Sequence, residues 1–191
     1  MARKKKYKIN EIFYSLQGEG FFTGTPMVFI RFSGCNRKCP FCDTDFADFT
    51  AMTAAEIAAE ASKYPAERIV LTGGEPLLQL DDALTDALVA TGKLLHIETN
   101  GSLPVPPRIT WVTCSPKSGR IKIDPEDVDE LKLVYQGQDQ KFFDKMMRTY
   151  CQAMLFLQPC SCQNTAETVD YVMNHPQWRL SLQTHKLISI K

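Results

Sequence analysis

Seven short apolar runs rich in β-branched and aromatic residues recur along the chain: Met27–Phe32, Arg68–Leu71, Leu94–Ile97, Ile109–Val112, Leu131–Tyr135, Met154–Leu157 and Arg179–Leu182. Each is short enough to be a strand and is bounded by turn-forming residues. They read as continuous rather than alternating, the pattern of parallel strands covered on both faces. Helical periodicity falls between several of them. Thr53–Lys63 opens with Thr53 and Glu56 in capping-box spacing. Gln79–Ala90 runs toward Gly92 as its stop, and Asp139–Tyr150 and Thr165–Met173 give two more helices. The link Ser102–Arg108 (SLPVPPR) is too short and proline-rich for a helix. Strand–helix alternation predicts an α/β fold with a parallel sheet. A complete eight-stranded barrel takes about 250 residues. A chain of 191 residues therefore predicts a partial, open parallel β/α barrel with some helices reduced, as one domain over 1–191. The basic stretch within residues 1–8 reads as a flexible, solvated tail.

The residues after six of the seven runs share a character. They are Ser33-Gly34-Cys35, Thr72-Gly73-Gly74-Glu75-Pro76, Glu98-Thr99-Asn100-Gly101, Ser115-Pro116-Lys117, Gln158-Pro159 and Gln183-Thr184-His185. In parallel α/β folds the carboxyl ends of the strands converge on one ligand site. Polar and glycine-rich groups at so many of these ends predict an active site there.

Three of the seven cysteines fall in one such loop, Cys35-Asn-Arg-Lys-Cys39-Pro-Phe-Cys42, a CX3CX2C. Thiolates are soft ligands that suit iron–sulfur clusters or zinc. Three of them would leave one iron of a four-iron cluster without a protein ligand, since the usual complement is four. Zinc sites normally draw on two pairs, and the remaining Cys114, Cys151, Cys160 and Cys162 offer only the CXC at Cys160-Ser161-Cys162. A thioredoxin-like pair at Cys39-Pro-Phe-Cys42 competes on spacing but leaves Cys35 idle. Three buried structural cysteines fit poorly with a loop that also holds Arg37 and Lys38. The other four cysteines read as ordinary core or surface thiols.

Composition narrows the functional classes. Twenty-two basic and 22 acidic residues cancel, so a protein that binds nucleic acid through phosphate contacts is not expected. A hydrophobic fraction of 44% supports a sizeable core. No apolar run approaches the roughly 20 residues of a membrane span. The start MARKKKYKIN carries charge but no apolar stretch behind it, so the expected location is the cytoplasm. His96, inside an apolar run, reads as a core histidine.

The CX3CX2C and the Thr72-Gly73-Gly74-Glu75-Pro76 turn, on consecutive predicted strands, together resemble the radical S-adenosylmethionine superfamily. Further motifs resemble the 7-carboxy-7-deazaguanine synthases over essentially the whole chain from Ile9. They are Glu11–Gly20 (EIFYSLQGEG), Phe29-Ile-Arg31-Phe, Cys42-Asp43-Thr44, Glu98-Thr-Asn-Gly101, Ser115-Pro-Lys117 and Leu182-Gln-Thr-His185. The resemblance implies a homodimeric lyase of queuosine biosynthesis. Its reaction would be a radical ring contraction of 6-carboxy-5,6,7,8-tetrahydropterin to 7-carboxy-7-deazaguanine and ammonia. It implies a [4Fe-4S] cluster on Cys35, Cys39 and Cys42, S-adenosylmethionine (SAM), and Mg²⁺ at Thr44. Flavodoxin or ferredoxin would supply the electron, and neither a membrane nor directly bound nucleic acid is involved.

Residue roles follow from the same resemblance. SAM would meet Phe41, Cys42, Asp43, Gly73, Gly74, Glu75, Ser115, Pro116, Lys117, Gln158, Pro159, Cys160 and Ser161. The substrate would meet Leu16, Gln17 and Gly18 through backbone groups, Glu19 at its guanidine-like edge, Arg31 at its carboxylate, and also Thr72 and Lys191. A guanidinium suits a carboxylate because it can bind both oxygens. No catalytic side chain is implied, because the radical arises on the cofactor. Arg31 also reads as an ordinary ion pair, and Thr44 as a turn cap. Two rival functions remain: an activating enzyme for a glycyl-radical protein, and a zinc-binding interaction module.

Overall fold

The computed structural model describes residues 4–42, 48–117 and 121–191. A ten-residue strand, β1 (Tyr7–Leu16), pairs antiparallel with β2 (Pro26–Phe32), and β3 (Thr50–Met52) lies antiparallel on the outer side of β1. From β2 onward every neighbour is parallel: β4 (Arg68–Gly73), β5 (Leu94–Thr99), β6 (Trp111–Cys114), β7 (Glu130–Tyr135), β8 (Met154–Pro159) and β9 (Arg179–Leu180). The order β3-β1-β2-β4-β5-β6-β7-β8-β9 leaves β3 and β9 as free edges, so the sheet is an open partial barrel, as expected.

Helices α1 (Ala54–Ser62), α2 (Asp82–Val89), α3 (Gln140–Thr149) and α4 (Thr165–Asn174) fill crossovers, and α5 (Thr184–Leu187) follows β9. Among the described residues between β5 and β7 there is no α-helix, in keeping with the proline-rich link after β5. The capping box of α1 forms as its spacing predicts: Glu56 N–H donates to Thr53 and Thr53 N–H to the Glu56 carboxylate. No helix among the described residues is long and apolar enough to cross a membrane.

Two strands were not expected. In β1 the polar Lys8, Asn10 and Glu11 interrupt an apolar run while Tyr7, Ile9 and Phe13 stay buried. That alternation belongs to a half-buried antiparallel strand. β3 has three residues, too few for a periodic signal. The tail expected over residues 1–8 is also shorter than predicted. Tyr7 is buried and donates to Asp81 Oδ1 at 2.6 Å, and Lys5 Nζ reaches Asp81 Oδ2 at 2.6 Å.

The parallel strands are two-faced rather than uniformly apolar, which corrects the continuous reading. One face carries Val28, Ile30, Ile69, Leu71, Leu95, Ile97, Val112, Leu131 and Leu133 in the main core, beneath the helices. On the other face Phe29, Val70, His96 and Trp111 lie in register across four strands. Two residues further along, the same face carries Arg31 opposite Thr72, and Glu98, Thr113 and Glu130 in line. This inner face is therefore aromatic at the amino ends of the strands and charged at the carboxyl ends. His96 is a buried residue as expected, packed edge-on against Phe22 and stacked with Trp111. Burial, helped by Arg68, pushes its imidazole down to about 4.

The loop from Gln17 to Thr25 crosses this inner face and closes the floor of the open barrel. Thr184 donates to Gly18 O through N–H (2.9 Å) and hydroxyl (3.0 Å). Gly20 N–H reaches Ser181 Oγ at 3.0 Å, and Phe21 N–H reaches Glu130 Oε2 at 3.0 Å. Gly20 has φ +67°, and a Cβ there would overlap the Glu130 carboxylate.

Candidate active site

A cavity of about 730 Å³ opens over the charged half of the inner face, at the carboxyl ends of the parallel strands. Its walls include all three cysteines of the motif, Cys35, Cys39 and Cys42, with Phe41 between the last two. From the strand ends it takes Thr72, Gly73 and Gly74, then Ser115 and Lys117, then Gln158, Pro159 and Ser161. On the substrate side it takes Leu16, Gln17, Gly18 and Glu19, together with Arg31 and Lys191. Of the remaining residues expected here, Glu75, Pro116 and Cys160 do not line it. Asp43 and Thr44 lie outside the described residues.

The cysteine loop is held by its neighbours. Glu75 N–H donates to Gly34 O at 3.0 Å, and Gly74 N–H to Phe32 O at 3.1 Å. A Cβ on Gly74 would overlap Gly34 O, so the two loops approach this closely only because residue 74 is glycine. Asn36 Nδ2 donates to Ser102 Oγ (2.8 Å), and Asn100 Nδ2 donates to Asn36 Oδ1 (3.0 Å), tying the loop to the end of β5. Within the loop Arg37 N–H points at Cys35 Sγ at 3.4 Å.

Burial raises the Cys39 thiol, nearby Lys117 offsets part of this, and Cys42 and Cys35 raise it again. Three thiolates crowded together call for a cationic partner, which is the condition an iron–sulfur cluster satisfies. Among the described residues no three His, Cys, Asp or Glu side chains are gathered around a single-ion position. Three soft thiol donors on one wall of the cavity suit an iron–sulfur cluster, whose irons are held by cysteine thiolates.

Glu75 works from outside the cavity. Its carboxylate is fully buried and accepts from Leu77 N–H (3.1 Å), Thr99 Oγ1 (2.8 Å) and Asn100 N–H (2.8 Å). Burial pushes this carboxyl up, and the bonds from Asn100, Thr99 and Leu77 restrain the rise. Its side chain thus joins the glycine turn to the end of β5 rather than facing a ligand. Glu75→Ala would orphan buried donors at about 1–3 kcal/mol each. Chemical denaturation should show a clearly lower unfolding free energy, and an unchanged midpoint would refute this role.

The floor is a buried charge cluster that sequence reasoning missed. Lys132 Nζ lies 2.6 Å from Glu19 Oε2 and 3.6 Å from Glu98 Oε1. Gln183 Nε2 donates to Glu19 Oε1 at 2.8 Å, and Gln17 Nε2 to Glu98 Oε1 at 2.9 Å. Burial alone would lower the Lys132 ammonium, but Glu19, Glu98 and Glu130 outweigh it and hold the amine protonated. Burial alone would likewise raise Glu19, yet Lys132 and the bonds from Lys132 and Gln183 hold its carboxyl far below the usual range. The available signal was a single lysine inside the apolar run Leu131–Tyr135.

This cluster surrounds Glu19, the acceptor expected at the ligand's guanidine-like edge. Each Glu19 oxygen already accepts one hydrogen bond, and the residue still lines the cavity with acceptor capacity left on both oxygens. Glu98, which also lines the cavity, has one oxygen with no hydrogen bond among the described residues. The backbone groups expected of Gln17 and Gly18 are engaged too: Gln17 N–H donates to Thr25 O, Gln17 O accepts from Gly24, and Gly18 O accepts from Thr184.

Among the residues expected to meet SAM, Lys117 Nζ donates to Ser115 Oγ at 2.8 Å and lies 5.8 Å from the Phe41 ring centroid. Burial lowers its ammonium pKa, and Lys132 lowers it further. Gln158 Oε1 accepts from Ser181 Oγ at 2.9 Å. Ser161 and Cys162 take left-handed backbone angles, φ 49° and 61°. Cys160 N–H is held by Asn164 Oδ1 at 2.7 Å.

Comparison with known proteins agrees with this arrangement. The model of the Radical SAM superfamily matches residues 29–134. A 7-carboxy-7-deazaguanine synthase of Bacteroides thetaiotaomicron is 61% identical, over 96% of this chain and 98% of its own length. One from Bordetella pertussis is 44% identical, over 96% and 99%. A crystal structure of QueE from Escherichia coli superposes with a TM-score of 0.79 at 31% identity, covering 93% of each chain. The chain belongs to the radical SAM superfamily and, within it, to the 7-carboxy-7-deazaguanine synthase family.

Proposed function

We propose that the cavity binds 6-carboxy-5,6,7,8-tetrahydropterin and that this chain converts it to 7-carboxy-7-deazaguanine and ammonia, a carbon–nitrogen lyase step in queuosine biosynthesis. The observation that carries this reading is one cavity lined by Cys35, Cys39, Cys42, the glycine turn and Arg31, in a chain 61% identical to a synthase of that name. Ring contraction with loss of ammonia is balanced without any added oxidant.

Cys35, Cys39 and Cys42 would hold a [4Fe-4S] cluster through their thiolates. SAM would lie along Gly73, Gly74, Ser115, Lys117 and the Gln158–Ser161 turn. When bound, cluster and SAM together supply the radical that removes a hydrogen atom from the substrate. The protein's part is to place that hydrogen, exclude water and fix charge. Arg31 would take the substrate carboxylate, with Thr72 beside it on β4. Lys132, held protonated by the carboxylates around it, keeps Glu19 ionised and lies 3.6 Å from Glu98 Oε1. Mg²⁺ at Thr44, a flavodoxin or ferredoxin as electron donor, and a homodimer complete the proposal. The Mg²⁺ assignment rests on the resemblance of Cys42-Asp43-Thr44 to the family's motif, the Thr44 hydroxyl being a hard oxygen donor such as this cation accepts.

The test is anaerobic reconstitution, then incubation with substrate, SAM and a one-electron reductant. Product and ammonia should appear together. A radical placed on a polypeptide, with no pterin turnover, would favour an activating enzyme. A colourless protein with one zinc would favour an interaction module. Arg31→Ala should leave iron loading unchanged and lower kcat/KM by about 30-fold or more, since losing one partner of a charged pair costs ~2 kcal/mol at least. Full turnover by that variant would remove Arg31 from the carboxylate site.

A further inference from the structure

Arg31 is not left to find its own orientation. It stands opposite Glu11 in the β1–β2 register, and its Nε donates to Glu11 Oε1 at 3.0 Å. The other oxygen, Glu11 Oε2, accepts from Lys191 Nζ at 2.5 Å. Both cations sit over the Phe13 ring, Arg31 at 5.6 Å and Lys191 at 5.3 Å from its centroid. All four residues line the cavity.

Strand pairing explains the Arg31 contact but not the one from Lys191, which is 180 positions away in sequence. Separate bonds bring it there. Ile190 N–H donates to His185 O at 3.0 Å, turning the chain back after α5, and Ser15 Oγ donates to Lys191 O at 2.6 Å, laying it against β1.

An acid beside an anion site repels the ligand unless it does something else. Here it offers one acceptor to each of two cations. It engages only one donor of the Arg31 guanidinium, and the Nη groups make no hydrogen bond among the described residues. The three side chains together, one acid and two bases, carry a charge opposite in sign to a ligand carboxylate. Arginine and lysine lose much rotamer freedom when ordered, and ordering both before the ligand arrives removes that cost from binding.

We propose that Glu11 is a positioning residue that holds Arg31 and Lys191 together as a two-cation clamp for the substrate carboxylate. The inference rests on the carboxylated pterin being the substrate.

Glutamine tests it sharply, because one amide oxygen can serve only one of the two cations while its NH₂ repels the other. Lys191→Met is a companion variant whose folding is not in question, since that side chain is 68% exposed. Both would be studied as reconstituted, SAM-bound protein without reductant, so that no turnover occurs. Dissociation constants would be compared for 6-carboxytetrahydropterin and 6-methyltetrahydropterin.

The native chain should prefer the carboxylated ligand. Glu11→Gln and Lys191→Met should each cut that preference by about tenfold, and the double variant by no more than either alone, the signature of one shared interaction. With reductant restored, the loss should fall on KM, with kcat at saturation little changed. A general structural defect would weaken both ligands alike. An undiminished or greater preference in Glu11→Gln, or additive losses, would overturn the proposal. No preference in the native chain would instead overturn the carboxylate reading of Arg31, and this inference with it.

Discussion

Replacing Lys132 with methionine is expected to lower the unfolding free energy by about 3–5 kcal/mol, the cost of leaving a buried charge without its partner. The substitution keeps the side-chain length and apolar stem and removes only the ammonium. Lys132 is almost fully buried, and Glu19 touches it at 2.6 Å. Glu19, Glu98 and Glu130 would then lose the cation they share. The pH dependence has a definite sign. In the native chain Glu19 is held below its unfolded value, so its contribution is complete above the unfolded pKa and fades as pH falls toward about 2. Without Lys132 the same carboxyl is driven upward by burial, and the variant gains stability as pH falls and Glu19 takes up a proton. The gap between the two proteins should be widest near neutrality and narrow in acid. Denaturation curves at several pH values measure it, and adding Glu19→Gln should restore part of the loss. A variant as stable as the native chain would mean that water already screens this floor.

Cys39→Ala is expected to abolish iron loading while leaving the fold intact. The native chain should reconstitute with about four irons and a brown colour, as three-cysteine ligation predicts. The three thiols line one cavity, and no described cysteine stands in reserve on that wall. Cys114 is buried under Gly101, and burial drives its thiol up to about 12, too protonated to substitute. The loop itself is bound through backbone groups and through Asn36, none of which the substitution touches. Iron per chain and the visible spectrum report the cluster, and the unfolding midpoint reports the fold. Exposed Cys151, just after α3 and outside the cavity lining, is the matched control: Cys151→Ala should load iron normally. Full iron in Cys39→Ala would place the cluster ligands elsewhere.

What the sequence determined by itself follows from local chemistry. Three thiols within eight residues announce a metal centre in any fold. The glycines of Thr72-Gly73-Gly74 are legible for a similar reason: they have to be glycine where loops touch, and Gly74 meets Gly34 O in the fold. The apolar runs revealed the parallel strands because burial beneath the helices tolerates few polar residues. The short, proline-rich link revealed the missing helix because proline cannot supply the backbone donors that a helix needs.

Tertiary structure alone decided everything that depends on which distant residues meet. β1 was hidden because an alternating, half-polar strand is weak evidence until a partner covers one side. That Lys132 and Gln183, remote in sequence, would each bond one oxygen of Glu19 could not be read from either segment alone. The partners of the Glu75 carboxylate at the end of β5 were not legible in the glycine turn that carries it. Lys191 had no assignable neighbour until the chain after α5 turned back onto Glu11. A motif constrains residues that act through their own chemistry within a few positions of one another. Charge pairing across a sheet depends on register and loop path, which the whole core sets together, so the electrostatics of this site became readable only in the folded chain.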